Sequence, residues 1–326
     1  MRKAMQHYGW PVSPYSAKTR CYLRFKGIPF EDRTPSIFRL RGTIKNAVGQ
    51  MIMPTVRQPD GIWLQDSSDI IDTLERSAPT PSIVPPGPTQ RLASVLLELH
   101  GDEWLPMIAL HYRWNNPTNH AFALREFARY GLPFLPTFIG QRLVGPVAKK
   151  MQSYLPALGV TSATTPAITA MATGLIEELN RHLSTHTFLL GDRPCLGDFA
   201  LFGPLWAHLF RDPGTTELFD DAPHVRDWFT RILTPSGEPG AFLADDTVPD
   251  TLEPIIQRIF QDQLPWIQTL TGAIDDWCET HPDATRVPRS LGKAAFRIGD
   301  CTDERKLATF VQWKAQRCWD TYHQAA

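Results

Sequence analysis

The sequence predicts a two-domain fold, an α/β domain followed by an all-helical domain. The first 80 residues alternate short strand patterns with helix patterns, a proline-rich stretch follows, and helical periodicity dominates after it. The chain has 326 residues, and domains commonly run to about 100–200 residues, so two domains are expected. We place the α/β domain at residues 1–80, a linker at 81–90, a helical domain at 91–236 and a mainly helical C-terminal extension at 237–326.

The opening segment predicts a β-α-β unit. A short run with aromatics ends at Pro11 and reads as a strand, and a helix pattern follows it. Ser13 suits the N-cap of this helix, and Gly27 is the type of residue that follows a helix end. Residues 28–35 then read as an edge strand, because prolines flank the run.

The rest of the α/β domain predicts a β-hairpin followed by a helix. A turn at residues 59–61, Pro-Asp-Gly, separates two strand-like runs. Ser67 or Ser68 is expected to cap the next helix, whose apolar stripe contains Ile70 and Leu74. The predicted order in this half is therefore β-β-α.

Helical periodicity fills most of the remaining chain. It predicts helices at residues 168–183, 251–279 and 306–322, and a turn followed by an apolar, buried helix within residues 189–210. Residues 131–146 are interrupted by Gly and Pro and are expected to be a mobile insert. Residues 288–300 read as an extended pair.

Composition excludes several classes of function. The formal net charge is −1, which gives no electrostatic reason to bind nucleic acid or an anionic membrane surface. Five scattered cysteines form no Cys-x-x-Cys pair, so neither a disulfide framework nor a zinc cluster is expected. The first residues lack the apolar core of a signal peptide, and we expect a cytoplasmic protein.

The start of the first helix carries an unusual motif, Ser13-Pro14-Tyr15-Ser16. With sulfur in place of both serine oxygens it would be a Cys-Pro-Tyr-Cys redox dithiol. The motif raises the question of what a serine pair does at a position suited to thiol chemistry.

Four motifs, in this order and spacing, resemble the cytosolic glutathione S-transferase family with a serine-type active site. They are the SPYSAKTR segment, Met53-Pro54, the QDSSDI segment with Asp66 and Ser67, and GDRPCLGDFAL with Cys195 and Asp198. The resemblance covers about residues 4–232, and the remaining tail is longer than in a typical member. It implies a thioredoxin-like first domain, an all-helical second domain and a homodimer.

The resemblance also implies glutathione as co-substrate, with no metal. Ser13 would stabilise the glutathione thiolate, with Ser16 and Tyr8 as alternative donors. A cis peptide bond at Met53-Pro54 would present the Met53 backbone to the cysteinyl unit of glutathione. Asp66 would pair with the ammonium of the γ-glutamyl unit, and the helix that Ser67 or Ser68 opens would attract its carboxylate.

A small hydrophobic electrophile is expected to bind between the two domains. The residues expected to line its site are Trp10, Tyr15, Trp104, His111, Tyr112 and Trp114. Their spacing also suits packing inside a helical core, and both interpretations stay open. Asp198 is expected to be structural, and Lys18 and Arg20 are expected to lie on a solvated face.

Two alternatives to glutathione conjugation remain open. One is a glutathione-dependent reductase, lyase or peroxidase at the same site, although no protein cysteine occupies position 13 or 16. The other is a non-enzymatic binding or scaffold protein that has kept the fold. The long tail and the Gly/Pro-containing insert favour this second alternative.

Overall fold

The structure, a computed structural model, describes residues 4–325. Its first domain contains a four-stranded mixed sheet in the order β2-β1-β3-β4. The strands are β1 (Met5–Tyr8), β2 (Phe30–Arg33), β3 (Thr55–Arg57) and β4 (Trp63–Gln65). Strand β2 runs parallel to β1 at the sheet edge, and β3 and β4 form the predicted antiparallel hairpin. This is the thioredoxin-like arrangement that the sequence predicts.

Three helical segments complete this domain. They are α1 (Pro14–Phe25), a short helical stretch built from α2 (Ile37–Arg39), a π turn and α3 (Lys45–Val48), and α4 (Ser67–Ser77). Helix α1 ends before Gly27, which has φ 62° and so adopts the left-handed conformation that glycine tolerates best. The Met53–Pro54 peptide bond is cis, as the resemblance implies.

The second domain is all-helical and begins at Pro88, inside the range assigned to the linker. Its helices are α5 (Pro88–Leu99), α6 (Pro106–Asn115), α7 (Pro117–Gly131), α8 (Thr137–Gln152), α9 (Thr165–Leu183), α10 (Leu196–Pro204) and α11 (Pro223–Leu233). Every residue of α10 is buried, which agrees with its continuous apolar sequence.

Residues 131–146, which the sequence analysis expects to be a mobile insert, are helical over most of their length. Most of this segment lies in α8, whose buried Val144 side chain is in one cluster with Ala128 of α7 and with Leu132, the residue that follows α7. A Cβ atom on Gly140 would lie 2.9 Å from the Ala128 Cβ atom, so glycine allows α7 and α8 to approach closely. The burial of this face stabilises the helix despite its internal proline, Pro146.

Asp198 has the structural position that the sequence predicts. Its Oδ2 atom accepts a hydrogen bond from the Cys195 backbone N–H (2.9 Å), while Oδ1 accepts from the Leu189 N–H and from Trp228 Nε1 (3.1 and 3.0 Å). Burial disfavours the charged form and raises the pKa of Asp198 to about 6, even though these donors favour the anion. The carboxyl joins the start of α10 to α11.

The C-terminal extension packs on the helical domain and shares its core. It contains α12 (Glu253–Arg258), α13 (Leu264–Thr280), the hairpin β5 (Ser290–Ile298) and β6 (Cys301–Ala308), and α14 (Phe310–Ala325). Trp266, Phe296 and Cys318 of the extension lie in one apolar cluster with Leu96 and Trp104. Lys306–Ala308, predicted as the start of a helix, belong to β6 instead.

Candidate glutathione site

Ser13 lies at the N-cap of α1, in the loop that leaves strand β1. Its backbone is extended, with φ −96° and ψ 122°, and its Oγ atom accepts a hydrogen bond from the Ser16 N–H at 3.3 Å. The side chain is only partly buried. Because the backbone contact uses the oxygen as an acceptor, the hydroxyl hydrogen remains available to a ligand.

Ser16 occupies a different environment, although only one helical turn separates it from Ser13. It is completely buried, and its Oγ atom has no hydrogen-bond partner among residues 4–325. A Cβ atom added to Gly9 would lie 2.5 Å from this oxygen. The Ser16 hydroxyl therefore faces the end of β1, so the two serines of the motif are not equivalent.

Tyr8, the third predicted donor, is part of a small aromatic core. Its hydroxyl donates to Gln6 Oε1 at 2.7 Å, and its ring stacks on Trp63 with the centroids 5.2 Å apart. Only 4% of the residue is exposed. Its hydroxyl hydrogen is thus already used within the protein.

A buried arginine of the helical domain holds the loop that precedes Ser13 in place. Arg113, on α6, donates to the Val12 carbonyl oxygen at 2.8 Å and forms a two-pronged ion pair with Asp212 (2.7 Å for each contact). Sequence patterns gave no signal for this link, because 101 residues separate Arg113 from Val12. The second domain thereby holds the loop that presents Ser13.

The first-domain residues that were predicted to bind glutathione lie near strands β3 and β4. The cis Met53–Pro54 bond immediately precedes β3, and Thr55 of that strand pairs with Tyr8 at the end of β1. The Met53 side chain packs against the apolar cluster that contains Tyr8 and Trp10. The sheet therefore places Met53 and Pro54 next to the strand end from which the Ser13 loop departs.

Asp66, rather than Ser67 or Ser68, is the N-cap of α4. Its Oδ1 atom accepts hydrogen bonds from the Ser68 and Asp69 N–H groups at 2.8 and 3.4 Å. Its φ of 65° places it in the left-handed region, which is uncommon for a residue with a side chain. Such strain is frequent at functional sites. Ser67, which follows it, is 3% exposed.

Asp66 has a second partner that the sequence did not predict, the ammonium of Lys314 on α14. Lys314 Nζ lies 3.1 Å from Asp66 Oδ1, 2.5 Å from Ser68 Oγ and 3.2 Å from Asp102 Oδ2. Burial lowers the pKa of Lys314, but the surrounding carboxylates outweigh it and the net shift is upward. The C-terminal extension is therefore bonded directly to the segment predicted to bind glutathione.

Lys18 belongs to the same buried ionic cluster, so the expectation that it lies on a solvated face is wrong. Its Nζ atom donates to Glu98 and to Asp102, each at 2.7 Å, and the residue is 1% exposed. Arg20 is also buried and pairs with Asp32 at 2.5 Å. Paired charges of this kind can be buried because each has a partner of opposite sign.

The Glu98 carboxylate is the acidic centre of this cluster. Ser68 Oγ donates to Glu98 Oε1 at 2.6 Å, and Arg317 Nε donates to Oε2 at 3.2 Å. Burial favours the neutral acid, but Lys18, Arg317 and Lys314 together reverse this effect and lower the Glu98 pKa below its usual value. The cluster joins α1, α4, α5 and α14.

A cavity of about 600 Å³ opens beside Asp66. Gln50, Ile52 and Gln65 of the first domain line it together with Asp66. The other lining residues belong to the C-terminal extension. Pockets of about 300–1,000 Å³ are typical for small ligands. The volume suits a molecule of the size of a tripeptide.

The six residues expected to line a hydrophobic substrate site occupy several environments. Trp104, Trp114 and Trp10 are 0%, 3% and 6% exposed and pack within apolar clusters. Trp10 also donates to the Pro35 carbonyl oxygen at 2.7 Å. The expected contact of these indoles with a substrate stays a prediction.

The other three residues of this set form polar or aromatic contacts within the protein. Tyr15 donates from its hydroxyl to the Asp102 carbonyl oxygen at 2.8 Å, which bridges the two domains. His111 Nδ1 accepts a hydrogen bond from the Asn115 amide nitrogen at 3.0 Å, and the His111 ring packs edge-on against Tyr112. None of the six lines the cavity beside Asp66.

Comparison with known proteins identifies the class. The family model for the N-terminal domain of glutathione S-transferases matches residues 8–82, and the model for their C-terminal domain matches residues 163–231. A thioredoxin-like domain followed by an all-helical domain is the architecture of this class. The chain therefore contains a match to each of the two domains of the glutathione S-transferase family.

Solved structures that are similar to this chain are distant from it in sequence. The β-etherase LigF from Sphingobium sp. strain SYK-6 is similar with a TM-score of 0.53 and 16% identity, over 78% of this chain and 99% of that one. A glutathione S-transferase from Methylobacterium radiotolerans JCM 2831, in complex with glutathione sulfonate, has a TM-score of 0.46 and 20% identity, over 76% of this chain and 100% of that one. At these identities the similarity concerns the fold alone.

Among residues 4–325, no helix is both long enough and apolar enough to cross a membrane.

Proposed function

We propose that this protein is a glutathione transferase that directs the glutathione thiolate at a small hydrophobic electrophile. The observation that supports this most strongly is the position of Ser13, a partly exposed residue at the N-cap of α1. It lies in a chain whose family is defined by glutathione chemistry. A cytoplasmic location and a homodimer are parts of the same proposal.

The chemical role of Ser13 is to stabilise an anion. The thiolate attacks electrophiles, whereas a free thiol titrates near 8.5 and is largely protonated at neutral pH. Lowering its pKa by one unit requires about 1.4 kcal/mol of preference for the thiolate. A hydroxyl that donates to sulfur, together with the positive end of α1, supplies an interaction of about this size.

The transfer itself needs no redox partner. The thiolate sulfur attacks the electrophilic carbon, a carbon–sulfur bond forms, and the leaving group departs with its electron pair. With an aryl halide the leaving group is halide, and the thiol proton passes to solvent. Ser13 keeps its own proton throughout.

Asp66 and Ser67 would bind the γ-glutamyl end of glutathione. No residue among 4–325 donates a hydrogen bond to Asp66 Oδ2, since the Ser68, Asp69 and Lys314 contacts all use Oδ1. Oδ2 can therefore accept from the ligand ammonium. The Ser67 N–H, at the positive end of α4, is the donor left for the ligand carboxylate.

A binding protein without catalytic activity is the second candidate, and the Lys314–Asp66 ion pair favours it. In that case the ammonium beside Asp66 belongs to the chain itself rather than to a ligand. The proposed transferase instead requires glutathione to bind next to this pair.

Glutathione titration by calorimetry, followed by an assay with an aryl halide, tests the proposal. Saturable binding at millimolar glutathione or below, with enzyme-dependent conjugation, is the expected result. Binding without turnover of any tested electrophile favours the second candidate. Absence of binding at these concentrations contradicts the transferase. Light scattering of the same sample tests the homodimer.

A further inference from the structure

Both the first domain and the C-terminal extension contribute residues to the lining of the cavity beside Asp66. One wall is the predicted glutathione segment of the first domain, represented by Gln50, Gln65 and Asp66. The other wall comes from the C-terminal extension, from the loop between α13 and β5 and from the start of α14. The part of the chain that exceeds a typical family member therefore forms part of the lining of the cavity beside Asp66.

Two arginines of the extension, Arg286 and Arg289, line this second wall. Both are exposed, and neither forms an ion pair with any residue between 4 and 325. The apolar side chains of Ile52 and Phe310 form other parts of the lining. The cavity thus combines one acidic group, Asp66, with two unpaired guanidinium groups.

The loop that carries the arginines is anchored to the rest of the extension. Thr309 Oγ1 donates to the Pro288 carbonyl oxygen at 2.7 Å, and the Thr309 N–H donates to the Arg289 carbonyl oxygen at 3.4 Å. Thr309 directly precedes α14, which is fixed to the first domain by Lys314 and by the ion pair of Arg317 with Asp72. These contacts hold the arginine loop opposite Asp66.

The charges of glutathione complement those of the cavity. At neutral pH the tripeptide has one ammonium and two carboxylates. Asp66 and Ser67 account for the ammonium and carboxylate of the γ-glutamyl unit, which leaves the carboxylate of the glycine unit without a partner. Planar guanidinium groups suit a carboxylate because they can donate two parallel hydrogen bonds.

We infer that Arg286 and Arg289 bind the glycine carboxylate of glutathione, so that the C-terminal extension completes the glutathione site. This inference rests on the proposed glutathione-binding function and adds to it a pair of ligand-binding residues outside both family domains. It also gives the extension a direct role in ligand recognition.

Calorimetry with two ligands tests the inference. Glutathione and γ-glutamylcysteine, which lacks the glycine unit, are titrated into wild-type protein, into the double variant Arg286→Ala/Arg289→Ala and into the control Arg142→Ala, an exposed arginine of α8 outside the cavity. The double variant is expected to bind glutathione about tenfold or more weakly. Its affinity for γ-glutamylcysteine should stay within about twofold of wild type, and the control should bind both ligands normally.

Each of the other outcomes contradicts either the inference about the arginines or the proposed function itself. If wild type binds glutathione and the double variant binds it equally well, the arginine assignment is wrong and the proposed function stands. If the variant weakens both ligands equally, the arginines do not recognise the glycine carboxylate. If wild type binds neither ligand, both the inference and the proposed function are wrong. Thermal melting of the double variant checks that it is folded.

Discussion

The ammonium nitrogen of Lys314 lies 3.1 Å from Asp66 Oδ1, although 248 residues separate the two in sequence. Lys314 belongs to the last helix of the chain, and Asp66 caps the helix predicted to bind glutathione. The pair therefore makes the geometry of the candidate site dependent on the C-terminal extension.

Removing the Lys314 ammonium should destabilise the protein strongly. In Lys314→Met the Asp102 carboxylate, of which 2% is exposed, loses one of its two cations. Losing one partner of a buried ionic cluster commonly costs about 3–5 kcal/mol. Urea unfolding should show that the free energy of unfolding falls by an amount in this range. The control Lys293→Met breaks only the exposed pair with Glu304, so its free energy of unfolding should change by less than about 0.5 kcal/mol.

A glycine contact between the two domains gives a second prediction. A Cβ atom on Gly203 of α10 would lie 2.7 Å from the Pro14 carbonyl oxygen at the start of α1. Gly203→Ala must therefore push α10 away from α1, and overpacking of this kind costs about 1–3 kcal/mol. Gly272→Ala on α13 meets nothing within 4 Å and should instead stabilise the protein by about 0.5–1 kcal/mol. Equal effects of the two variants in urea unfolding would argue against this contact.

His100 should make stability depend on pH. It is fully buried, its Nδ1 atom lies 2.8 Å from Gln263 Oε1, and burial lowers its pKa from 6.5 to about 4. Between about pH 4 and pH 6.5, His100 therefore binds a proton in the unfolded chain but not in the folded chain. The free energy of unfolding should therefore fall as pH falls through this window, by up to about 1.4 kcal/mol per pH unit.

The comparison of two histidine variants isolates this effect. His100→Gln should have a shallower loss of stability between about pH 6.5 and pH 4 than wild type. His281→Gln, at an exposed residue of the extension, should retain the wild-type slope. Identical slopes in wild type and His100→Gln would show that His100 is not the group responsible.

Local patterns predicted the first domain because its signals are short-range. Ser13 and Gly27 delimit α1 through capping and left-handed backbone conformation, which depend on neighbouring residues. The cis bond before Pro54 followed from the family resemblance, since sequence alone does not distinguish cis from trans proline.

The ionic cluster was not predictable in the same way. Lys18 looks like a solvated residue on an amphipathic helix, and its partner Glu98 is 80 residues away. Lys314 reaches Ser68 across 246 residues. Periodicity reports which face of a helix is apolar, but it does not report which charged side chains meet once distant helices pack together.

The different environments of Ser13 and Ser16 lead to the most direct test of the central proposal. The ultraviolet absorbance of the glutathione thiolate is followed against pH for ligand bound to wild type, Ser13→Ala and Ser16→Ala. In wild type the thiol pKa should lie about one unit or more below the free value near 8.5, and Ser13→Ala should remove most of this shift. Ser16→Ala should retain it, because the Ser16 hydroxyl is buried against Gly9. An unshifted thiol pKa in wild type, or a shift that survives in Ser13→Ala, would contradict the role of Ser13.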